Sequence, residues 1–303
     1  MLFVQGRCFY MKCELCPRMC GVDRENNIGF CKSTNCVKIA RAALHAWEEP
    51  CISGENGSGT VFFSGCTLKC VFCQNYVLSH ENAGKEISVE RLAEIFLELQ
   101  AKKAHNINLV TPTHYVLQII EALKIAKGNG LTIPIVYNSS GYERIETIDL
   151  LKGYVDIYLP DFKYFSNELA KKYSGANEYF EMASLALNRM FEQVGKPEFD
   201  EDGMMKKGVV IRHLVLPGYV GDSKKVISYL YETYGDDVFL SIMNQYTPLP
   251  HVEKFPEINR KVTEEEYNEV VDFAVVLGVE NAFIQEGDTA KESFIPDFES
   301  LDF

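Results

Sequence analysis

Long apolar runs are missing from this sequence: no stretch of 18 apolar residues occurs in its 303 positions, so nothing reads as a membrane span. The N-terminal MLFVQGRCFYMKCELCP has no apolar signal-peptide core, and the expectation is a cytoplasmic protein. Basic runs are also missing. Lys and Arg number 30 against 43 Asp and Glu, a formal net charge of −13. A nucleic-acid binder, or a binder of anionic membranes, needs a basic face, so neither partner is expected. The imbalance is uneven, because residues 1–80 carry 8 basic and 6 acidic residues. Internal repeats and low-complexity segments are absent. Cysteine is absent after position 73.

What is present describes a folded chain: 47% hydrophobic, 12% aromatic and 24% charged residues. A chain this long buries roughly three-quarters of its unfolded surface. The organisation expected is a Cys-rich N-terminal segment over 1–55, a barrel over 56–290 and a tail over 291–303.

All ten cysteines lie in the first quarter, at 8, 13, 16, 20, 31, 36, 51, 66, 70 and 73. Thiols clustered in a reducing compartment point to metal binding or thiol chemistry rather than disulfides. Cys66, Cys70 and Cys73 form a C-x3-C-x2-C triplet with Phe72 before its last member. A structural zinc wants four ligands, and an all-cysteine iron–sulfur cube also wants four. Three therefore leave one corner open, unless His80 or Cys51 completes a zinc site or the cysteines merely pack. Cys13, Cys16, Cys20 and Cys31 supply four thiols by themselves, with Pro17, Gly21 and Gly29 making the turns. That set suits a second iron–sulfur cluster or a zinc knuckle. Cys8, Cys36 and Cys51 are left unassigned, as small buried hydrophobes more often than ligands, with Cys36 or Cys8 as an alternative member of the four.

From Thr60 onward short β-branched runs alternate with helical patterns. Strands are expected at 60–64, 107–111, 133–138, 155–161, 209–216 and 238–243, with a seventh at 282–285. Helices are expected at 88–103, 115–127, 144–152, 166–173, 178–194, 222–234 and 263–277, with Ser88 capping the first and Thr263 with Glu266 forming a capping box in the last. Residues 195–203 read as a polar loop. Repeated strand–helix units imply a parallel sheet, either a barrel or a doubly wound sheet, with chemistry at the carboxyl ends of the strands.

Those ends are polar: Gln74-Asn75, Thr111-Pro112-Thr113-His114, Asn138-Ser139-Ser140, Asp161-Phe162-Lys163, Arg212-His213 and Asn244-Gln245. His114 and His213 are candidates for the pocket mouth, and His45 and His80 flank the cysteine clusters. Trp47 is expected to pack the N-terminal segment onto the barrel, and Tyr137, Tyr142 and Tyr164 to be pocket wall or core.

The Cys66–Cys73 triplet with Phe72 resembles the signature of the radical S-adenosylmethionine (SAM) superfamily. That resemblance implies an α/β open (β/α)6 partial barrel, three thiolates holding a [4Fe–4S] cluster, and SAM bound at the remaining iron. The nearest branch is that of the glycyl-radical-enzyme activases, the pyruvate formate-lyase activating enzymes. Asn75 matches their Asn after the cluster loop, and Asp161-Phe162-Lys163 keeps their Asp-x-Lys. Their Gly-Gly-Glu-Pro appears as Val110-Thr111-Pro112-Thr113, without glycine or glutamate. Their Asp-Thr-Asn-Gly appears as Asn138-Ser139-Ser140-Gly141, which puts a monovalent-cation site in doubt and favours Lys163 as partner of the SAM carboxylate. The CELCPRMCGVDR segment, the stretch from Ala43 to Pro50, the run GSGTVFFSGCTLKCVFCQNY, the run NLVTPTHY and Ser293-Phe294-Ile295-Pro296 are similar to a family grouped with those activases.

The resemblance thus implies an oxidoreductase that cleaves SAM and abstracts hydrogen from a substrate. Phe72, Asn75, Thr111, Thr113, Asn138, Ser139, Asp161, Lys163 and Arg212 would lie about SAM. Flavodoxin or ferredoxin would be the electron donor, and a glycyl radical enzyme or peptide the substrate. A radical SAM enzyme acting on a small molecule or peptide is the alternative. An iron–sulfur electron carrier without SAM chemistry is a third reading, opposed by the open corner.

Overall fold

The computed structural model describes residues 12–285 and the backbone of two short paired strands, Phe3–Val4 and Arg7–Cys8. The side chain of Cys8, the tail 291–303 and Ser293-Phe294-Ile295-Pro296 lie outside the described residues.

Nine strands form the main path of one sheet: β1 (Val37–His45), β2 (Ser58–Phe63), β3 (Lys85–Ile87), β4 (Ile107–Val110), β5 (Ile135–Ser139), β6 (Ile157–Pro160), β7 (Met205–Leu214), β8 (Phe239–Met243) and β9 (Ala282–Ile284). Their order is β9-β8-β7-β6-β5-β4-β2-β1-β3. From β2 to β9 every pairing is parallel. Six consecutive parallel strands followed by helices, with an edge strand at either end, make the open partial barrel expected. β2, β4, β5 and β6 are buried at every residue, as a parallel sheet covered on both faces requires.

The sheet is mixed rather than purely parallel. β1 runs antiparallel to β2, and β3 antiparallel to β1. β1 lies within the stretch 1–55 read as Cys-rich. Its sequence, VKIARAALH, buries Val37, Ile39, Ala40 and Ala42, a half-buried pattern overshadowed by the thiols beside it. The edge strand β3 exposes Lys85 and Glu86, charges that blunt a free edge. The expected polar loop at 195–203 also contains a two-residue strand, Glu198–Phe199, paired antiparallel with the start of β7.

Helices α1 (Val89–Ala101), α2 (Val116–Gly128), α3 (Ile145–Leu150), α4 (Asn167–Ser174), α5 (Tyr179–Val194), α6 (Val220–Tyr234) and α7 (Glu264–Leu277) cover the outer face. Ser88 caps α1, its hydroxyl accepting from the Arg91 amide at 3.1 Å. The capping box of α7 forms in both directions, at 3.2 and 3.1 Å. A one-turn helix, Pro50–Ser53, stoppers the barrel from below, burying Cys51 and Ile52 against Val136, Ile157 and Val210. Among the described residues no helix is long and apolar enough to cross a membrane.

Candidate cluster and nucleoside site

β2 delivers the chain into the loop that carries Cys66, Cys70 and Cys73. Gly65, at φ +88°, makes the turn, and a Cβ there would meet the Cys31 carbonyl and the Ser33 hydroxyl at 2.4 Å. Only glycine fits. The loop is pinned where the Val71 amide donates to the Tyr173 carbonyl at 2.8 Å. All three thiols face one cavity of about 240 Å³ at the carboxyl ends of the strands. Ser174 donates to Cys70 Sγ at 2.9 Å, and Tyr164 shares a 2.7 Å hydrogen bond with Ser174. Burial pushes the Cys70 thiol up to about 11 and the Cys73 thiol to about 12. Both therefore hold their protons until a metal displaces them.

The other wall of the cavity is charged. Asp161 Oδ2 accepts from Lys163 Nζ at 2.6 Å, and its Oδ1 accepts from Arg212 Nε at 3.1 Å. Arg212 also donates to Glu48 Oε2 at 3.1 Å and to Asn138 Oδ1 at 2.5 Å. Burial alone would raise Asp161, but Lys163 and Arg212 together hold it below its ordinary value. Lys163, which burial would lower, is held above its ordinary value by Asp161 and Cys70. Glu48 and Glu49 are both pushed up by burial, against the pull of Arg212. Asp161, Glu48 and Glu49 thus compete for the one guanidinium of Arg212. The Asp161–Lys163 pair is no surface pair, with side chains only 17% and 15% exposed.

The cavity wall gathers Cys66, Cys70, Phe72, Cys73, Asn75, Thr111, Asn138, Ser139, Asp161, Lys163 and Arg212. Phe72 is buried against Tyr246, with ring centroids 5.8 Å apart. Thr111 replaces a glycine of the activase pattern yet adopts φ +59°, a left-handed conformation costly for a β-branched residue and common where a site is built. Thr113 stands apart from the other predicted residues. It lies behind the wall, its hydroxyl donating to Glu143 Oε1 at 2.6 Å.

The histidines divide. His45 lines the cavity. His213 is buried outside it, bonded to the Phe162 carbonyl at 2.7 Å and to Ser223 at 2.9 Å. His114 is likewise buried, 2.8 Å from the Ser64 carbonyl. His80 stacks on Tyr76 at 4.0 Å. Trp47, expected as packing, is 66% exposed at the cavity rim. Tyr137, Tyr142 and Tyr164 are core. Cys51 is buried as expected, whereas Cys36 is exposed.

Sequence reasoning missed Glu48 and Glu49. They reach the barrel interior because the loop bearing them enters from below, ahead of the Pro50–Ser53 stopper. The signal available was a pair of acids set between Trp47 and the apolar turn Pro50-Cys51-Ile52.

The four N-terminal cysteines sit in a loop clamped to the barrel by Arg18 and Arg24. Arg18 donates to the carbonyls of Thr67 at 2.8 Å and Leu68 at 3.1 Å, both within the cluster loop. Arg24 is buried and bonds the carbonyls of His114 and Thr34. Thr147 and Arg144 hold the carbonyls of Leu15 and Glu14, at 2.7 and 2.6 Å.

Comparison with known proteins decides the family. The Radical SAM superfamily profile matches residues 60–229, more than half of the chain. This chain belongs to the radical SAM superfamily. A curated relative, an uncharacterised protein of Methanocaldococcus jannaschii, is 32% identical over 275 residues, covering 88% of this chain and 75% of that protein. Among solved structures, HydG, a maturase of the [FeFe]-hydrogenase, aligns with a TM-score of 0.50 at 16% identity, over 76% of this chain and 52% of HydG. SuiB of Streptococcus suis, bound to S-adenosylmethionine, aligns with a TM-score of 0.49 at 14% identity, over 74% of this chain and 49% of SuiB. The chain spans about half the length of these two structures.

Radical SAM membership implies a [4Fe–4S] cluster and SAM. The residues fit both. Three sulfur donors from one loop meet at one cavity with a buried ammonium, a guanidinium and several amide and hydroxyl groups opposite them, suited to a zwitterionic nucleoside.

Glu143 behind this radical SAM site sets a pH dependence. Burial raises its carboxyl from 4.5 to about 8, so the folded protein keeps a proton there that the unfolded chain has lost. Stability then falls as pH rises from about 4.5 to about 8, by on the order of 5 kcal/mol at full extent. Glu143→Gln, which keeps the shape and removes the titration, is expected to flatten that fall. Urea denaturation at pH 5.5 and pH 8.5 measures it: the variant gains on the wild type at the higher pH.

Proposed function

We propose that this chain is a radical SAM enzyme that abstracts hydrogen from its substrate in the manner of a glycyl-radical-enzyme activase. Cys66, Cys70 and Cys73 would hold the [4Fe–4S] cluster. Lys163 would take the SAM carboxylate, and Phe72, Asn75, Thr111, Asn138, Ser139, Asp161 and Arg212 would line the rest of the nucleoside site. When bound there, the cluster and SAM would together supply the one-electron chemistry for hydrogen abstraction from the substrate.

The observation that carries this reading is the facing of two groups across one cavity: three thiols from a single loop, and the buried Asp161–Lys163 pair. The pairing keeps Lys163 charged in a drying site, and an ammonium held that way receives a carboxylate at modest cost. Arg212 fixes Asp161 and Asn138 from behind. Because Asn138 is spent on Arg212, the site is read with Lys163 rather than a monovalent cation beside the cofactor. The proposed electron donor is flavodoxin or ferredoxin, and the proposed substrate the glycyl loop of a partner enzyme, with a peptide or small molecule as the second reading.

Anaerobically reconstituted, dithionite-reduced protein is expected to convert SAM to 5′-deoxyadenosine and methionine. An intact cluster that releases no 5′-deoxyadenosine would leave an iron–sulfur protein without SAM chemistry. Deuterium transfer into 5′-deoxyadenosine from labelled glycyl-loop peptides supports the activase reading, and transfer from small molecules alone contradicts it.

A further inference from the structure

The N-terminal cysteines gather in one loop about Gly29. A Cβ on Gly29 would sit 3.3 Å from Cys31 Sγ and 3.5 Å from Cys20 Sγ, so the bare glycine leaves both thiols a shared space. Cys13 lies near enough to feel the charges of Cys20 and Cys31, and Cys16 those of Cys31 and Cys13. The backbone wraps to bring them there: the Cys13 amide donates to Val22 at 2.9 Å, Gly21 to Cys13 at 3.0 Å and Met19 to Cys16 at 2.9 Å. Cys13, Cys16 and Cys31 are buried and Cys20 reaches solvent.

We infer that Cys13, Cys16, Cys20 and Cys31 hold an iron–sulfur cluster rather than zinc, seated to pass one electron to the centre on the Cys66–Cys73 loop. Zinc needs its sulfurs at about 2.3 Å from one atom. Among the described residues, no group of three or more His, Cys, Asp or Glu is arranged about a single-ion position. That holds for this quartet and equally for Cys66, Cys70 and Cys73. A cluster spreads its thiolates over separate iron corners, and a redox-active centre, unlike zinc, has a use for contact with the Cys66–Cys73 loop.

The path between the two sets is short. The Cys31 carbonyl packs on Gly65, which is bonded to Cys66. Lys69, inside the cluster loop, feels the charges of both Cys66 and Cys31. Arg18, two residues after Cys16, binds the Thr67 and Leu68 carbonyls of that loop. At the outer edge Cys20 is exposed beside three exposed apolar side chains, Met19, Ile28 and Phe30. This edge belongs to residues 1–80, which carry 8 basic and 6 acidic residues, and it suits docking of an acidic one-electron carrier protein. The carrier is oxidised by one electron, and the centre on Cys66, Cys70 and Cys73 is reduced by one. No proton or bond moves.

The electron route rests on the reading that the second loop holds a cluster, but the N-terminal site does not. The full-length Cys66→Ala/Cys70→Ala/Cys73→Ala variant, reconstituted anaerobically, is expected to keep roughly four iron and four sulfide per chain. Zinc in their place, or no metal, overturns the site. Wild-type iron content adds to this: roughly eight per chain supports two clusters, and roughly four with none left in the variant overturns the inference. If variant and wild type hold equal iron, the N-terminal site stands and the reading of the Cys66 loop fails instead. For the route, low-temperature EPR of the fully reduced wild type is expected to show two spins broadened by mutual coupling. A spectrum equal to the sum of two isolated clusters overturns it.

Discussion

Replacing any one of Cys66, Cys70 or Cys73 by alanine is expected to strip the loop of its iron and lower SAM cleavage by more than ~100-fold. The floor on that figure comes from weaker perturbations: removing a group that merely orients a ligand already costs about 10–100-fold in metal affinity or activity. Ser174 is such a group, donating to Cys70 Sγ at 2.9 Å. Ser174→Ala is therefore expected to fall inside that range, well short of the cysteine variants. Iron content of the Cys66–Cys73 loop and 5′-deoxyadenosine release, measured side by side, check the order. Equal losses in Ser174→Ala and Cys70→Ala would mean that Cys70 is not a ligand.

Arg212→Ala is expected to destabilise the fold by roughly 3–5 kcal/mol, the range for removing one member of a buried ion pair. The guanidinium is the hub of the barrel interior, bonding Asp161, Glu48 and Asn138 at 3.1, 3.1 and 2.5 Å. Without it, Asp161 keeps only Lys163, and the buried Glu48 loses its guanidinium partner. Glu48→Gln should cost less, since the amide oxygen still accepts from Arg212 and only the Asn108 Nδ2 donor loses its acceptor. Chemical denaturation of the two variants at neutral pH separates them. A loss in Glu48→Gln as large as in Arg212→Ala would contradict the place of Arg212 as the hub.

Much of this architecture was legible. The period of the apolar residues located each parallel strand and outer helix to within a few positions, because parallel strands buried on both faces are continuously apolar and the helices carry one clear stripe. Ser88, Thr263 and Glu266 marked helix starts by a local bond that needs no tertiary context. Three features were hidden. The antiparallel strand Val37–His45 reads as a weak alternation, and only its pairing with Ser58–Phe63 gives it meaning. Glu48 and Glu49 look like ordinary surface acids until the loop that carries them threads under the barrel. Thr113 follows Thr111 by two residues, yet the short 3₁₀ turn Thr113–Tyr115 sends it behind the wall to Glu143. Spacing located the thiols, since chelation is local. Sequence alone could not separate cavity wall from second layer, since that depends on how the loops turn.

The sharpest test concerns the iron corner for which the Cys66–Cys73 loop offers no thiol. Reduced protein mixed with SAM labelled with ¹⁵N at the amino group and ¹³C at the carboxyl should show hyperfine coupling from both labels to the cluster spin that disappears with the Cys66, Cys70 and Cys73 substitutions. A cluster spectrum indifferent to SAM, with coupling instead from a nitrogen or oxygen of the protein at that corner, would contradict the account.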